Sequence, residues 1–230
     1  MPRRAKRARK DDDSEEFASD AQPSYADMIS QLKDDTLRRM VNDLAMTSPS
    51  VQTAIRSYYQ QLIHSRRTVD LNFDSYSRVV WRVLNSSEYA KGSGSKQYDS
   101  AWDATDEVRG CIRAIANKTH PESSYGTKLS ALKTLCKIAK TLLLAGNTLG
   151  SEVRKQFQTD SCLPDKMLRI AQLMSPQEQL RAGATSDAEG SLVDKVRWLC
   201  DEWDSYCLDG IESFDTVLDL LGGSSDASEE

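Results

Sequence analysis

The chain has 230 residues, 39% of them hydrophobic and 28% charged, and its net charge is -5. This length allows one substantial core, and no apolar run approaches the roughly 18 residues of a membrane span. The composition therefore favours a globular protein over a membrane-spanning or wholly disordered chain.

Positive charge is concentrated at the start of the chain. The first ten residues hold six basic side chains and no acidic one, which leaves 24 basic and 35 acidic side chains in the rest, a net charge of -11. The six are Arg3, Arg4, Lys6, Arg7, Arg9 and Lys10. An acidic body argues against a folded domain that neutralises DNA phosphates. The basic block is typical of a nuclear-localisation signal read by an import receptor, and its rival interpretation is an arm making weak nucleic-acid contacts.

The first third of the chain predicts a leader followed by helices. Residues 1–22 have no apolar periodicity and are predicted to be a disordered basic and acidic leader. Apolar residues three and four apart predict three helices in an N-terminal helical segment, residues 23–66, with Ser48 and Pro49 as one start signal. Residues 68–73 alternate in polarity, but no second strand pattern exists to pair with them, so a sheet is not expected.

Residues 67–222 are predicted to form the main helical bundle, followed by a disordered tail at 223–230. Helical spacing recurs throughout this range, interrupted by a loop predicted at 181–190. The segment Thr127–Asn147 is apolar around nearly its whole circumference, which places its helix at the centre of the bundle. The fold class is therefore all-α, a single multi-helix bundle of about seven to ten helices behind the leader.

Three lysines interrupt the apolar surface of that central helix on one edge, namely Lys133, Lys137 and Lys140. One interpretation is a solvated face, or a face that meets the acidic C-terminal segment, where no Lys or Arg follows Arg197. The other interpretation is a basic groove that binds an acidic or phosphorylated segment of a partner. We name these three residues as the candidate partner-binding site.

No motif predicts catalysis. The stretch Gly92–Lys96 resembles a phosphate-binding loop, but Ser95 separates glycine from lysine and a helix precedes it, so a connector is favoured. His64 and His120 have no metal-ligand spacing, and the five cysteines form no C-x-x-C pair and are expected to be reduced and mostly buried. We therefore expect no catalytic residue, cofactor or metal, and no enzyme activity.

The four tryptophans are expected to be mostly core residues. Trp81 and Trp203 fall on or near apolar faces. Trp102 and Trp198 fall one step beside such faces, where they would line a groove between helices or an exposed contact patch.

Several strings carry a resemblance: NFDSYSRVVWRVLN, GSKQYDSAWDATDEV, YGTKLSALKTLCKIAKT, LGSEVRKQFQTDS and MLRIAQLMS. Over about residues 35–220 the chain resembles an uncharacterised family of small fungal helical proteins, which implies no activity. Over residues 1–60, the basic leader, the apolar positions from Leu37 to Leu44 and TSPSVQTAI look similar to the start of the fungal tethering factor for nuclear proteasomes. That factor is also an acidic helical bundle behind a basic leader.

These observations predict a nuclear, non-enzymatic adaptor or scaffold that binds other proteins through a helical surface. One alternative is a chromatin- or DNA-associated factor that uses the basic leader. Another, implied by the resemblance, is a nuclear proteasome tethering factor. The expected partners are proteins, the import receptor and a weak nucleic-acid contact, with no membrane.

Overall fold

The computed structural model describes residues 24–86 and 88–222, and within them the chain is all-α, as predicted. The first helices are α1 (Tyr25–Ser30), α2 (Asp34–Thr47), α3 (Pro49–Thr68), α4 (Asp74–Asn85), α5 (Gly94–Asp99) and α6 (Ala101–Lys118). The others are α7 (Tyr125–Leu144), α8 (Thr148–Gln156), α9 (Cys162–Gln172), α10 (Pro176–Gly183), α11 (Leu192–Ser205) and α12 (Ile211–Leu220). A 3-10 turn, Phe157–Thr159, follows α8, and a two-stranded hairpin, β1 (Ser186–Asp187) and β2 (Gly190–Ser191), precedes α11.

The chain divides into two compact units, Met1–Ser57 and Tyr58–Glu230. In its described part, the first unit consists of α1, α2 and the beginning of α3. The apolar spacing predicted these helices correctly, but α1, α2 and α3 bury none of their residues. Apolar side chains such as Val41 and Leu44 are exposed. Helical periodicity therefore identified an amphipathic helix here without identifying what its apolar face contacts.

The second unit is built around α7, which packs against α4, α9 and α11. Leu132, Leu135, Ile138 and Ala139 of α7 are completely buried. This confirms the central position predicted from the apolar circumference of that segment. The nine helices from α4 to α12 lie wholly within the described part of this unit, and together with α1, α2 and α3 the described residues hold twelve helices, more than the seven to ten predicted.

An extended segment before α4 fixes the position of that helix on α7. The backbone N–H of Leu71 donates to Thr127 Oγ1 over 2.8 Å, and that of Phe73 donates to Ser130 Oγ over 3.1 Å. At the other end of α4, Asn147 Nδ2 donates to the carbonyl of Leu84 over 2.7 Å. Because the start of α4 lies beside the first half of α7 and its end beside the residues that follow α7, the two helices run parallel.

The C-terminus of α7 is capped by a side chain from α8. The guanidinium of Arg154 donates to the carbonyls of Leu142 and Leu143 over 2.8 and 2.7 Å, and it lies over the ring of Tyr206 at 4.5 Å. The last carbonyls of a helix have no partner within the helix and carry partial negative charge, so a cation satisfies them well. This contact fixes the end of α7, where the candidate site lies.

The prediction of a loop at residues 181–190 is wrong. Helix α10 continues to Gly183, and the next residues form the antiparallel hairpin, with Ser186 opposite Ser191. The Asp187 carboxylate accepts the N–H of Glu189 over 2.9 Å, and Gly190 adopts a φ of 100°, a conformation that glycine reaches without steric cost. A capping box between Ser191 and Asp194 then starts α11 directly.

The apolar residues at helical spacing from Tyr98 to Ile115 belong to two helices, because the chain breaks at Ser100 between α5 and α6. Gln97 holds α5 against its neighbours, since its side chain donates to the carbonyl of Ala90 and accepts the N–H of Leu149, both over 3.1 Å. The connector predicted at Gly92–Lys96 is shorter than expected, because α5 begins at Gly94.

Candidate protein-binding groove

A cavity of about 1090 Å³ lies between α4, α7, α11 and the hairpin. We call it the stripe groove, because Lys133, Lys137 and Lys140 of α7 line it together. Helix α4 forms one wall, and α11 with the hairpin forms the other. All of these elements belong to the second unit, so a single compact unit positions the groove.

The floor of the groove follows one edge of α7. Spacings of four, three and four residues place Lys133, Lys137, Lys140 and Leu144 on the same face, over about 16 Å of helix. The stripe is basic in its first part and apolar at its end, where the Leu144 side chain is 62% exposed. Lys137 is exposed, and Lys133 and Lys140 are half-buried. The sequence-predicted residues therefore lie together on one solvent-accessible edge.

Each wall contributes one tryptophan. Trp81 of α4 is 56% exposed, and Trp198 of α11 is half-buried against the core. The placement of Trp81 on an apolar face was only partly right, because the buried face of α4 runs through Val80 and Leu84, one step round the helix. Trp203 is fully buried, whereas Trp102 on α6 is 62% exposed and does not line the groove.

Carboxylates from the two walls pair with two of the three stripe lysines. Lys137 Nζ lies 2.5 Å from the carboxylate of Asp74, and Lys140 Nζ lies 3.2 Å from that of Glu189. The hydrogen bonds from Lys137 and then from Arg78 lower the pKa of Asp74 below its ordinary value. Lys133 forms no ion pair within 4.0 Å to any described residue. The hydrogen bond from Lys195 lowers the pKa of Asp187, and the charge of Lys133 adds a smaller effect in the same direction.

The acidic C-terminal segment does not pair with the stripe. The acidic residues considered for this role are Asp201, Glu202, Asp204, Asp209, Glu212, Asp215 and Asp219. All but Glu202 are exposed, and in the described part of the chain the ion pairs of the stripe go to α4 and the hairpin instead. Helices α11 and α12 turn their apolar sides inward, which leaves these carboxylates on the outer surface.

The groove is more basic than the protein around it. Five cations line it, together with three acidic residues: Arg78, Lys133, Lys137, Lys140, Lys195, Asp187, Glu189 and Asp194. The body of the protein beyond the first ten residues has a net charge of -11. A concave, locally positive surface on an acidic body attracts a negatively charged ligand and orients it on approach.

Cys136 also lines the groove, but burial raises the pKa of its thiol to about 12. A thiol of that pKa stays protonated at neutral pH and is a poor nucleophile or metal ligand. The groove as described therefore offers shape, aromatic surface and positive charge, which are features for binding a polypeptide segment.

The predicted nuclear-localisation residues, Arg3, Arg4, Lys6, Arg7, Arg9 and Lys10, lie outside the described residues, as does the tail at 223–230. Among residues 24–86 and 88–222, no group of three or more His, Cys, Asp or Glu side chains is placed to hold a metal ion. None of the helices in that part of the chain combines the length and apolarity needed to cross a membrane. No protein-family model, curated protein or solved structure matches this chain.

Proposed function

We propose that this protein is a nuclear, non-enzymatic adaptor that binds acidic segments of other proteins in the stripe groove. The observation that carries the proposal is the pairing of aromatic and basic surface in one concavity, with Trp81 and Trp198 on opposite walls and Lys133, Lys137 and Lys140 on the floor. Aromatic anchors surrounded by charge are typical of surfaces that bind protein segments.

The aromatic part of the groove supports affinity. A tryptophan buries roughly 150–250 Å² when fully covered, so covering the exposed half of Trp81 would contribute about 2–3 kcal/mol. Leu144, which is equally accessible, would add to this term. These side chains explain why a partner would stay bound, whereas the lysines explain which partner is chosen.

The basic part of the groove supports selectivity for acidic segments. Binding a carboxylate at Lys137 or Lys140 displaces Asp74 or Glu189 from an exposed ion pair. Exposed pairs contribute only about 0–1 kcal/mol, so the exchange costs little. Lys133, which has no ion pair to the described residues, can accept a partner carboxylate without any exchange.

Changing Lys133, Lys137 and Lys140 to Gln should abolish the capture of acidic partners and shift thermal stability only slightly. Glutamine avoids the repulsion that Glu would meet from Asp74 and Glu189. The measurement is quantitative affinity capture from native cell extract, together with the melting temperature. A matched control changes Lys91, Lys96 and Lys155, which are exposed outside the groove, to Gln with the same loss of charge. The proposal fails when both variants keep, or both lose, the same partners.

The nuclear part of the proposal depends on the leader. Six cations within ten residues form a compact signal for an import receptor, and the same charges would make weak contacts with nucleic-acid phosphates. Both roles can coexist with an acidic body.

Replacing Arg3, Arg4, Lys6, Arg7, Arg9 and Lys10 with Ala should move a fluorescent fusion out of the nucleus and leave the melting temperature unchanged. A fusion that stays nuclear would contradict the import role. The alternative, a chromatin-associated factor, is tested by titrating the natural chain and the leader variant with duplex DNA at two salt concentrations. Such a factor would bind DNA in a salt-dependent way, and the leader variant would lose that binding.

A second candidate function is tethering of nuclear proteasomes. It is favoured by the layout of the chain, in which a basic leader precedes an acidic helical bundle, as in the tethering factor that residues 1–60 resemble. Loss of nuclear proteasome fluorescence in cells that lack the protein would support tethering, and an unchanged distribution would exclude it.

A further inference from the structure

The hairpin places acidic side chains against the cations of the stripe groove. Its sequence Ser-Asp-Ala-Glu begins at Ser186, and its two carboxylates face the cations of the groove. Asp187 pairs with Lys195 at 2.5 Å, and Glu189 pairs with Lys140 at 3.2 Å. The protein thus contains an example of an acidic strand held by these lysines.

The same tripeptide, Ser-Asp-Ala, occurs in residues 223–230, which read GSSDASEE. These residues, hereafter the acidic tail, carry the carboxylates of Asp226, Glu229 and Glu230 and no basic side chain. The tail therefore matches the hairpin in composition and is opposite in charge to the groove.

The described chain stops beside the root of the hairpin. The backbone of Leu221 packs directly against Gly183, where a Cβ atom would collide with it, and Gly222 lies against Leu180. Gly183 is only four residues before Asp187. The five residues from Leu221 to Asp226 span up to about 17 Å when extended, and the four from Gly183 to Asp187 span at most about 14 Å. A chain that starts at Leu221 is therefore long enough to extend as far from Gly183 as Asp187 does, and Asp187 pairs with Lys195 at the groove.

We infer that the acidic tail binds in the stripe groove and competes there with acidic segments of partners. Lys133, which forms no ion pair to the described residues, is the cation open to it, and the exposed Lys137 becomes available when its ion pair with Asp74 opens. The inference rests on the proposed function for the identity of the groove. In addition, the chain carries its own competitor, which lowers the apparent affinity of a partner for the groove.

The tether makes such a competitor effective despite its small size. A segment tethered close to its site has an effective concentration of the order of mM, so even a segment that binds weakly in solution occupies the site for much of the time. The apparent affinity of a partner then falls in proportion to the fraction of open groove. Because the contacts are mainly ionic and exposed, the competition should weaken as salt rises.

The test uses the full chain and a fluorescent peptide of sequence Gly-Ser-Ser-Asp-Ala-Ser-Glu-Glu, whose binding is followed by anisotropy. The tail variant carries Asp226→Asn, Glu229→Gln and Glu230→Gln. A third Ser-Asp-Ala copy at residues 19–21 provides the matched control, with Glu15→Gln, Glu16→Gln and Asp20→Asn. We expect the tail variant to bind the peptide roughly 3–10-fold more tightly than the natural chain and the control, with a smaller difference at high salt.

Adding Lys133→Gln and Lys137→Gln to the tail variant should remove most of the peptide binding. Equal affinities for the natural chain and the tail variant would overturn the inference, as would a tail variant that does not bind the peptide or whose binding survives loss of the two lysines. The capture experiment on the three-lysine variant has an independent readout. The capture experiment can therefore support the adaptor function even when the peptide experiment shows no competition by the tail. It can also contradict the adaptor function when the peptide experiment succeeds.

Discussion

Replacing Leu135 with Ala should lower the free energy of unfolding by about 2–5 kcal/mol. Leu135 is completely buried on α7, the helix that packs against α4, α9 and α11. Truncation removes apolar contacts and leaves a cavity that surrounding helices cannot fully close. A urea titration followed by circular dichroism measures the change.

Leu144→Ala is the matched control, because it removes the same atoms from the same helix at a position that is 62% exposed. Its effect should stay within about 0.5 kcal/mol. A Leu135 variant no less stable than the Leu144 variant would show that α7 is not the centre of the core, and the groove would then lack a fixed floor.

Replacing Glu178 with Gln should destabilise the protein by about 1–3 kcal/mol, the cost of removing one charged partner from a buried ammonium in a pair whose carboxylate is itself 28% exposed. The Lys128 side chain is only 6% exposed, and its Nζ lies 3.4 Å from Glu178 Oε2. The same carboxylate oxygen accepts the N–H of Ser175 over 2.8 Å in the capping box of α10. Glutamine can keep that cap but leaves the Lys128 ammonium without its counter-charge.

Adding Lys128→Met should restore most of the lost stability, because the double variant buries a side chain of similar volume and no charge. Thermal unfolding of the natural chain, Glu178→Gln and the double variant measures this coupling. A loss of less than about 1 kcal/mol in Glu178→Gln would mean that the Lys128 ammonium reaches water. If Lys128→Met did not restore stability, the loss would instead come from the capping box at Ser175.

Periodicity alone was sufficient to predict the all-α fold and the central helix. In α7 the apolar residues continue around nearly the whole helix. Such a helix is stable in water only when other helices cover it on nearly every side. In α1 to α3 the same kind of spacing predicted helices but not their exposure, because periodicity states which face is apolar and not what covers it. Lys128 was missed for a related reason: one charged residue within an apolar run has no sequence signal for a partner fifty residues away.

The candidate site was predicted in part. Three lysines at helical spacing on an otherwise apolar segment are conspicuous, since burying them unpaired would be costly. The walls were not predictable in the same way, because Trp81 and the hairpin reach the stripe only through tertiary packing. The hairpin had one local signal, an acidic residue followed three positions later by glycine, which favours a turn but does not specify where its carboxylates lie.

Site-specific photo-crosslinking measures most directly whether the stripe groove binds acidic segments. A benzophenone amino acid replaces Trp81 in one variant and Trp102 in another, since the two tryptophans are similarly exposed and only Trp81 lines the groove. After illumination in native extract, we expect position 81 to crosslink peptides rich in Asp and Glu, and the Gln substitutions at Lys133, Lys137 and Lys140 to abolish these crosslinks. Identical crosslinks from positions 81 and 102, or crosslinks that survive loss of the three lysines, would contradict the account.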